Sequence, residues 1–470
     1  MNRLFVSAAH KSSGKTTVCI GLCAALRARG EEVQPFKKGP DYIDPLWLGL
    51  AAGRPCYNLD PYLSRADEIR AEFAQRTHGA SLGLVEGNKG LYDGLDLDGS
   101  NSNAALAALL GTPVVLVIDA RGMTRGIAPL ILGFQAFDKN IRIAGVILNQ
   151  LGGARHEAKL RAVIAHYTGV PVLGAVQHDE RLTIVERHLG LVPSNEAEAA
   201  RLHVDEIAAR IADQVDLDRL LGVARAAAPF AAVPAPSGGA AARPGGPPLR
   251  VGIARDAAFG FYYPGDLEAL RIAGAELVTF DALRDPLLPS IDALFIGGGF
   301  PETHMGALAA NATLRAELRA AIEAGLPAYA ECGGLMFLAR SIEWNGRRAE
   351  MAGALAVDIV MHARPVGRGY VHLRETGDGL WPARDGDAPL IRAHEFHYSS
   401  VENLAPGTRF AYAVERGHGI DGRHDGIVHH NLLASYAHLR DVADHRWARR
   451  FVDFARRCKV KRASVAQTVG

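Results

Sequence analysis

The sequence is poor in cysteine, and its few cysteines form no familiar metal or disulfide pattern. Only five occur in 470 residues, and none is paired as C-x-x-C or spaced as a set of zinc ligands. An odd, scattered set of this kind is typical of reduced thiols in a cytoplasmic protein. The five positions are Cys19, Cys23, Cys56, Cys332 and Cys458.

Long apolar runs and an excess of charge of either sign are also absent. No segment reaches about 18 consecutive apolar residues, and the N-terminus begins as a strand pattern rather than as a signal peptide. The 52 basic and 51 acidic residues leave a net charge of +1, which argues against a nucleic-acid or membrane partner. We expect a cytoplasmic enzyme. A homodimer is compatible with the sequence, which does not show the oligomeric state.

Alanine, proline and glycine dominate residues 226–248, which contain no acidic residue. Such a segment cannot bury enough apolar surface to offset its ordering entropy, so it predicts a flexible linker rather than a long helix. A chain of 470 residues is also too long for one hydrophobic core. We therefore predict one domain at 1–225, the linker at 226–248, a second domain at 249–460 and a C-terminal tail at 461–470.

Apolar runs rich in Val, Ile and Leu alternate with helical patterns on both sides of this linker. Such alternation is typical of an α/β fold in which helices cover both faces of a parallel sheet. We expect a parallel-sheet domain first and a second α/β domain after the linker. The clearest strand patterns lie at 3–9, 81–87, 112–120, 143–150, 171–176 and 249–256. The helical patterns lie near 15–29, 102–110, 125–137, 154–167, 264–273, 311–324 and 445–457.

The turn after the first predicted strand carries a phosphate-binding pattern. Residues 9–17 read AHKSSGKTT and fit the P-loop template from its sixth position onward, although Ala9 replaces the first glycine. Backbone N–H groups of such a loop hold phosphate at the positive end of the following helix. Lys15 would reach the β- and γ-phosphates of ATP, and the Thr16 hydroxyl would bind Mg²⁺. The predicted nucleotide-binding residues are Ser12, Ser13, Gly14, Lys15, Thr16 and Thr17.

Carboxylates that could support a metal ion follow other predicted strands. Glu86 stands at the carboxyl end of the 81–87 strand, where open α/β sheets bind ligands. The segment FKKGPDYIDP adds Asp41 and Asp44 beside two lysines, in a loop that its prolines would stiffen. Asp119 ends the 112–120 strand and would contact a metal or cap the next helix. For Glu86, Asp41 and Asp44, an ordinary loop or turn carboxylate is the alternative.

A second candidate site lies in LPAYAECGGLMFLA, residues 326–339. An apolar strand is followed by Cys332, two glycines and a helical pattern. A nucleophile is exposed on such a strand–turn–helix arrangement, and the helix N-terminus favours a thiolate. A buried structural cysteine is the alternative. The order of the elements favours the nucleophile.

Cysteine attack on a carboxamide also needs an oxyanion site and a base. The base must be one of 18 histidines, and spacing alone does not select it. His438 ends a strand-like run, while His394 and His397 compete with it and also suggest a metal pair that lacks a third ligand. The oxyanion donors expected in the glycine-rich turn FIGGGFPE are the N–H groups of Gly297, Gly298 and Gly299.

Eight segments together resemble the cobyrinic acid a,c-diamide synthase family, from the P-loop to the last strand. They are FKKGPDYIDP, EGNKGLYDG, ERHLGLV, ARDAAFGFYYP, GGGFPE, ECGGLMFL, HEFHYS and NLLASYAHL. The resemblance implies a dethiobiotin-synthetase-like ATP domain followed by a class I glutamine amidotransferase domain. ATP would activate a carboxylate of an anionic tetrapyrrole as an acyl phosphate, and ammonia from glutamine would displace the phosphate, at side chains a and c in turn.

The resemblance also implies roles for residues of the amidotransferase domain. Cys332 is similar to the family's glutaminase nucleophile, and His438 is similar to its base. Class I amidotransferases generally carry a glutamate two positions after that histidine, whereas this chain has Arg440. The expected triad therefore looks reduced to a dyad.

In the ATP domain the resemblance implies that Lys15, Thr16, Asp41 and Glu86 bind nucleotide and Mg²⁺. Asp44 would lie near the carboxylate that is activated. Two further residues, Tyr42 and Lys89, are candidates for binding the macrocycle.

The departures from the family pattern lie beside the expected acceptor site. The usual Glu-Gly-Val-Met-Gly segment is EGNKG at residues 86–90, and the P-loop carries Ala-Ala-His-Lys. Cobyrinate or hydrogenobyrinate is the default substrate, and the sirohaem-amidating branch of the family is the alternative. From another class, the chain could be a P-loop ATPase regulator with a non-catalytic amidotransferase-like module, which the intact Cys332 disfavours.

Overall fold

The chain divides into two units, Met1–Ser237 and Gly238–Gly470, in the computed structural model of the protein. The structure describes residues 1–182, 184, 186–187, 190–191, 193–195, 199–230, 248–382, 390–442 and 445–469. Most of the expected linker and part of the ERHLGLV motif lie outside these residues. Among the residues described, no helix has the length and apolar character needed to cross a bilayer.

The strands of the first unit are mostly short and apolar. They are β1 (Arg3–Ala8), β2 (Val33–Lys38), β3 (Tyr57–Leu59), β4 (Leu82–Glu86), β5 (Val114–Asp119), β6 (Ile143–Leu151), β7 (Val172–Gln177), β8 (Glu186–Arg187) and β9 (Gly190–Leu191). The helices are α1 (Lys15–Ala28), α2 (Ile43–Ala52), α3 (Ala66–Arg76), α4 (Asn103–Leu110), α5 (Ile127–Phe137), α6 (Ala154–Tyr167), α7 (Ala200–Gln214) and α8 (Leu217–Arg225).

Seven of these strands form one parallel sheet in the order β3-β2-β4-β1-β5-β6-β7. Strand β1 lies between β4 and β5, and all its residues are buried. Because parallel strands end at the same edge of a sheet, the loops after β1, β2, β4 and β5 meet there. The topology therefore brings together the P-loop and the carboxylates that follow these strands.

The segment FKKGPDYIDP is not the stiff loop that the sequence predicts. Strand β2 continues to Lys38 and α2 begins at Ile43, so Asp44 and Pro45 lie in the first helical turn. Proline is tolerated there because the first turn leaves N–H groups unpaired, and an acidic residue favours the same end. Asp41 Oδ1 accepts the N–H groups of Ile43 and Asp44 at 2.9 and 3.2 Å, which starts the helix.

The second unit contains a larger mixed sheet. Its strands are β10 (Leu249–Ala254), β11 (Phe259–Phe261), β12 (Ala275–Phe280), β13 (Ala293–Ile296), β14 (Gly298–Gly299), β15 (Ala328–Glu331), β16 (Ser341–Trp344), β17 (Arg347–Glu350), β18 (Asp358–Met361), β19 (Gly367–Glu375), β20 (Ile391–His397), β21 (Ser399–Glu402), β22 (Arg409–Arg416), β23 (His424–His429) and β24 (Leu432–Ser435). Its helices are α9 (Pro264–Ile272), α10 (Met305–Ala310), α11 (Ala312–Glu323), α12 (Gly333–Leu338) and α13 (Trp447–Val469).

The nine-stranded sheet of this unit has the order β12-β10-β13-β15-β24-β23-β22-β19-β20. Strands β12 to β24 in that order are parallel, and β23 to β20 continue the sheet antiparallel. Helix α13 continues to Val469, well beyond the predicted end near residue 457. Its Trp447 packs edge-on against Phe295 of β13, with ring centroids 5.2 Å apart. Strand β15 is thus a central strand, and the turn after it carries Cys332.

Candidate active sites

The loop between β1 and α1 has the backbone of a phosphate-binding turn. Ser12 and Gly14 have positive φ angles of 64° and 81°. A Cβ atom on Gly14 would lie 2.2 Å from Asn149 Nδ2, so only glycine fits. Asn149 lies in β6 and donates to the Ser13 carbonyl at 2.9 Å. The sequence analysis did not single out Asn149, although a polar residue near the end of an apolar strand was a signal for it.

Beside this loop, Lys15, Thr16, Lys37, Asp44 and Glu86 form a charged cluster, here called the P-loop site. The Thr16 hydroxyl donates to Glu86 Oε1 at 2.7 Å. The Lys37 ammonium lies 2.5 Å from Asp44 Oδ2 and 3.0 Å from Glu86 Oε1. Thus Thr16, Asp44 and Glu86, three of the predicted site residues, lie together around a lysine that the sequence analysis did not assign.

Asp41 lies at the margin of this cluster. Its Oδ2 is 3.9 Å from Lys37 Nζ, and its Oδ1 caps α2. Burial and the charge of Asp44 raise the pKa of Asp41 to about 7. A carboxyl held in this way binds a proton readily near neutral pH.

The electrostatics of the P-loop site depend on Lys37. Burial alone would lower the pKa of Lys37, but the charges of Asp44, Glu86 and Asp41 raise it well above its ordinary value. Burial raises the pKa of Glu86, whereas Lys37 outweighs burial at Asp44 and lowers its pKa. Burial and the charge of Lys37 lower the pKa of Lys15. Glu86 Oε2 is buried and has no hydrogen-bond partner among the residues described, so this carboxylate can accept a further cation.

The remaining predicted carboxylate, Asp119, does not join the cluster. It pairs with Arg121, with 2.6 Å between Asp119 Oδ2 and Arg121 Nη2, and it accepts the Arg121 backbone N–H at 3.0 Å. It does not cap the next helix as predicted, since α5 begins after Gly126, and its contacts with Arg121 are those of a local turn.

The variant segment EGNKG forms part of a buried polar network next to the P-loop site. Lys38 Nζ donates to Asn88 Oδ1 at 3.3 Å and to the Asn101 carbonyl at 2.5 Å. Burial lowers the pKa of Lys38 to about 8. Lys89 is exposed and has a positive φ of 43°. Tyr42, the other macrocycle candidate, is half-buried at the start of α2.

In the second unit, Cys332 occupies a strained turn between β15 and α12. Its φ and ψ are 47° and −102°, a conformation that L-residues rarely adopt and that recurs at nucleophiles on strand-to-helix turns. A Cβ atom on Gly334 would lie 2.3 Å from the Ile296 carbonyl oxygen, and one on Gly333 would lie 2.9 Å from Gly299 N. The two glycines therefore let the nucleophile turn approach the glycine-rich turn after β13.

The glycine-rich turn differs from the prediction in one respect. The N–H of Gly297 donates to the Tyr262 hydroxyl at 3.0 Å, so this group is already paired. Gly298 and Gly299 form β14 and pair with β11. The imidazole of His438 lies against Gly298, because a Cβ atom there would come within 2.8 Å of His438 Cε1.

His438 is the histidine that the fold brings to Cys332. Burial alone would lower the pKa of His438, but hydrogen bonds with Cys332 and Glu331, and the charges of both, raise it to about 10. His438 Nδ1 lies 3.3 Å from Glu331 Oε2. We call Cys332, His438 and Glu331 the Cys332 site.

The two competing histidines have other surroundings. His394 stacks on His438, with ring centroids 4.8 Å apart, and burial together with the charge of His438 lowers its pKa well below the ordinary value. His397 stacks on Tyr436 at 3.7 Å and faces Glu395 at 3.6 Å. Within the described residues, no three His, Cys, Asp or Glu side chains form a metal-binding group.

Comparisons with known proteins match both units. A model described as the CobQ/CobB/MinD/ParA nucleotide binding domain matches residues 5–192, and one described as the CobB/CobQ-like glutamine amidotransferase domain matches residues 250–444. The chain is 49% identical over 448 residues to the cobyrinate a,c-diamide synthase of Magnetococcus marinus, covering 95% of each chain. This chain belongs to the cobyrinate a,c-diamide synthase family.

A second relative supports the same assignment. The cobyrinate a,c-diamide synthase of Methanosarcina acetivorans is 40% identical over 490 residues, which cover 98% of this chain and 97% of that protein. A solved glutamine amidotransferase structure covers 44% of the chain at 20% identity and a TM-score of 0.32, which is too low to add to the argument. The predicted family and α/β fold class are confirmed. As a member of the family, the chain is a glutamine-dependent carbon–nitrogen ligase with a nucleotide-binding domain.

Proposed function

We propose that this chain converts the a and c carboxylates of cobyrinate into amides, with ATP to activate each carboxylate and glutamine to supply ammonia. The observation that carries the proposal is the presence of both chemistries in one chain. The P-loop site gathers Lys15, Thr16, Lys37 and the carboxylates of Asp44 and Glu86 beside a phosphate-binding turn, with Asp41 at its margin. The Cys332 site pairs a thiol with a buried histidine. The full-length relatives named as cobyrinate a,c-diamide synthases support the substrate.

In the first half-reaction, a carboxylate oxygen of the macrocycle attacks the γ-phosphorus of ATP. The bond between the γ-phosphorus and the β-phosphate oxygen breaks, so ADP leaves and an acyl phosphate forms. Ammonia then attacks the acyl carbon, phosphate leaves, and the amide results. Lys15 and the N-terminus of α1 would hold the phosphates and stabilise the charge that develops on them. Asp44 forms an ion pair with Lys37 beside this turn.

The donors of the P-loop site fit a magnesium ion. Oxygen ligands are the ones that Mg²⁺ prefers. The Thr16 hydroxyl donates to Glu86 Oε1, and Glu86 Oε2 has no hydrogen-bond partner among the residues described, so these oxygens would bind the ion. Asp41 would complete the predicted set, although one of its oxygens caps α2. When bound, the ion would neutralise phosphate charge.

In the second half-reaction, Cys332 Sγ attacks the carboxamide carbon of glutamine. Because its pKa is raised to about 10, His438 already holds a proton near neutral pH, and it donates this proton to the leaving nitrogen, so that the C–N bond breaks and ammonia forms. Water hydrolyses the resulting thioester and releases glutamate. We retain the N–H groups of Gly298 and Gly299 as the oxyanion donors because Gly298 lies against His438 and Gly299 against Gly333 of the nucleophile turn, whereas the N–H of Gly297 donates to Tyr262.

The test is to give the purified chain cobyrinate or sirohaem separately, with Mg-ATP and glutamine, and to follow the products by mass. We expect cobyrinate to gain two amides in succession. If sirohaem were amidated and cobyrinate were not, the chain would belong to the sirohaem-amidating branch of the family. The absence of glutamate release under every condition would favour the P-loop regulator with a non-catalytic module.

A further inference from the structure

The carboxylate of Glu331 is buried directly beside the histidine of the Cys332 site. Glu331 ends β15, and only 3% of its surface is exposed. Its Oε2 lies 3.3 Å from His438 Nδ1, while its Oε1 accepts the Leu439 N–H at 3.0 Å and the Tyr329 hydroxyl at 2.5 Å. A buried carboxylate is costly unless it is hydrogen-bonded. Here one oxygen is anchored by two donors, which leaves the other directed at the imidazole.

The position at which this class of enzyme usually carries the third residue is occupied differently. Arg440 stands two residues after His438, and its Nε lies 3.4 Å from Asp266 Oδ1. Its guanidinium also lies 3.9 Å from the ring centroid of Tyr263. Arg440 is therefore held by other partners, and a cation could not accept a hydrogen bond from an imidazole N–H.

We propose that Glu331, the residue immediately before the nucleophile, is the positioning residue of His438 and supplies the third member of the triad. This inference rests on the proposed glutaminase reaction. Glu331 Oε2 accepts the Nδ1–H of His438, which leaves Nε2 to hold its proton beside Cys332 Sγ and to donate it to the leaving nitrogen. The chain then has a complete Cys–His–Glu set although position 440 is arginine.

The backbone at Cys332 explains how two adjacent residues can serve one imidazole. Successive side chains of a strand point to opposite faces, so Glu331 and Cys332 would ordinarily diverge. The positive φ of 47° at Cys332 interrupts that alternation. Hydrogen bonds from both residues then reach His438, and together they raise its pKa to about 10 against the opposing effect of burial.

The decisive variant is Glu331→Gln. The amide oxygen can still accept the Leu439 N–H, but the NH₂ group would face His438 Nδ1 and favour the wrong tautomer. We expect kcat for glutamine hydrolysis to fall on the order of 10²- to 10⁴-fold, as when the aspartate of a Ser–His–Asp triad is replaced by asparagine. KM for glutamine should stay within about two-fold, and amidation with added ammonia should be retained.

Two further measurements separate positioning from mere structural support. Because Glu331 raises the pKa of His438, the ionisation assigned to His438 in the pH profile of kcat should move to lower pH in Glu331→Gln. The downfield Nδ1–H resonance of His438 should also disappear from the NMR spectrum. The control is Asp358→Asn, since Asp358 is a buried carboxylate that pairs with Arg340 and Arg348 instead. It should lower the melting temperature and leave both readouts unchanged.

Each outcome has one reading. If Glu331→Gln keeps the wild-type kcat and pH profile, Glu331 does not position His438 and the inference is overturned. If Glu331→Gln does not fold, Glu331→Asp is measured instead, and the same two readouts decide. If the unaltered chain releases no glutamate at all, it is the proposed function that fails, and this result is distinct from the others.

Discussion

The P-loop site and the Cys332 site are both built on a parallel strand, a tight turn and a helix, but they hold their charges differently. At the Cys332 site, the Glu331 carboxylate is bound by His438, Leu439 and Tyr329. At the P-loop site, Lys37 lies among the carboxylates of Asp41, Asp44 and Glu86, and Glu86 Oε2 has no hydrogen-bond partner among the residues described.

This difference follows from whether the reacting groups belong to the chain or arrive with a ligand. The nucleophile and base of the Cys332 site belong to the chain, so they can be aligned in advance by hydrogen bonds and by a strained backbone. The reacting groups of the P-loop site arrive with ligands. The charged side chains of the P-loop site would therefore gain phosphate and a cation as partners when the ligands bind, and the ion pairs among these side chains would rearrange.

The largest expected effect is the loss of the glutaminase reaction at the Cys332 site, with the reaction at the P-loop site retained. Cys332→Ser should reduce glutamine-dependent amidation on the order of 10³-fold or more, because the thiolate nucleophile is lost. Amidation with added ammonia should continue, since the P-loop site is untouched. Both rates are measured by product mass. If the ammonia-dependent rate also collapsed, Cys332 would have a role other than ammonia supply.

The second prediction removes the cation of the P-loop site. Lys37→Met should lower the ammonia-dependent rate about 10²-fold and destabilise the fold by about 3–5 kcal/mol at neutral pH, because buried carboxylates lose their partner. Lys37 lowers the pKa of Asp44, so the stability that this pair contributes is present above about pH 4 and is lost as pH falls further.

Urea unfolding of Lys37→Met and the unaltered chain at several pH values tests the sign of this effect. The difference between them should be largest near pH 8 and should shrink below about pH 4. Lys139→Met is the control, because Lys139 is exposed and its replacement should change stability by less than about 0.5 kcal/mol. A pH-independent difference would contradict the charge argument.

The third prediction separates a close contact from backbone strain. Gly14→Ala adds a Cβ 2.2 Å from Asn149 Nδ2 at a φ of 81°, whereas Gly30→Ala adds one at a φ of 86° with no atom within 4 Å. Both should cost about 1 kcal/mol through strain. Only Gly14→Ala should weaken nucleotide binding, by about ten-fold or more, as measured by calorimetry. Equal nucleotide affinities in the two variants would contradict the account of the loop.

The smallest expected effect concerns the variant segment. Lys89→Ala should raise KM for the anionic macrocycle by about two- to five-fold, because an exposed ion pair contributes little. Glutamine hydrolysis should be unchanged, and the effect should diminish as salt increases. Steady-state kinetics at two ionic strengths measures it, with Lys139→Ala as the control. An unchanged KM would remove Lys89 from the macrocycle-binding residues.

Motifs on a single strand–turn–helix segment were predictable from the sequence. The turns that carry Gly14 and Cys332 appear where the apolar runs end, because such a run must be followed by a tight turn if the chain is to form a parallel sheet. The start of α2 was not predicted, because Pro45 breaks a helix in its interior but is accepted in its first turn.

Partnerships between distant segments could not be predicted in the same way. Glu331 and His438 are separated by 107 residues, and the sequence predicted only a dyad because Arg440 stands two positions after the histidine. Lys37 is the second-to-last residue of β2, where a lysine usually reaches solvent. Its burial follows from the parallel order of β2, β4 and β1, which places Asp44 and Glu86 around it. Both assignments need the fold.

The central claim is that one chain couples the two reactions, and stoichiometry tests it most directly. Phosphate released from ATP, glutamate released from glutamine and amide formed on cobyrinate would be counted in the same reaction. The account predicts equal amounts of all three, up to two per macrocycle. Phosphate and glutamate released without any amide on cobyrinate would contradict it.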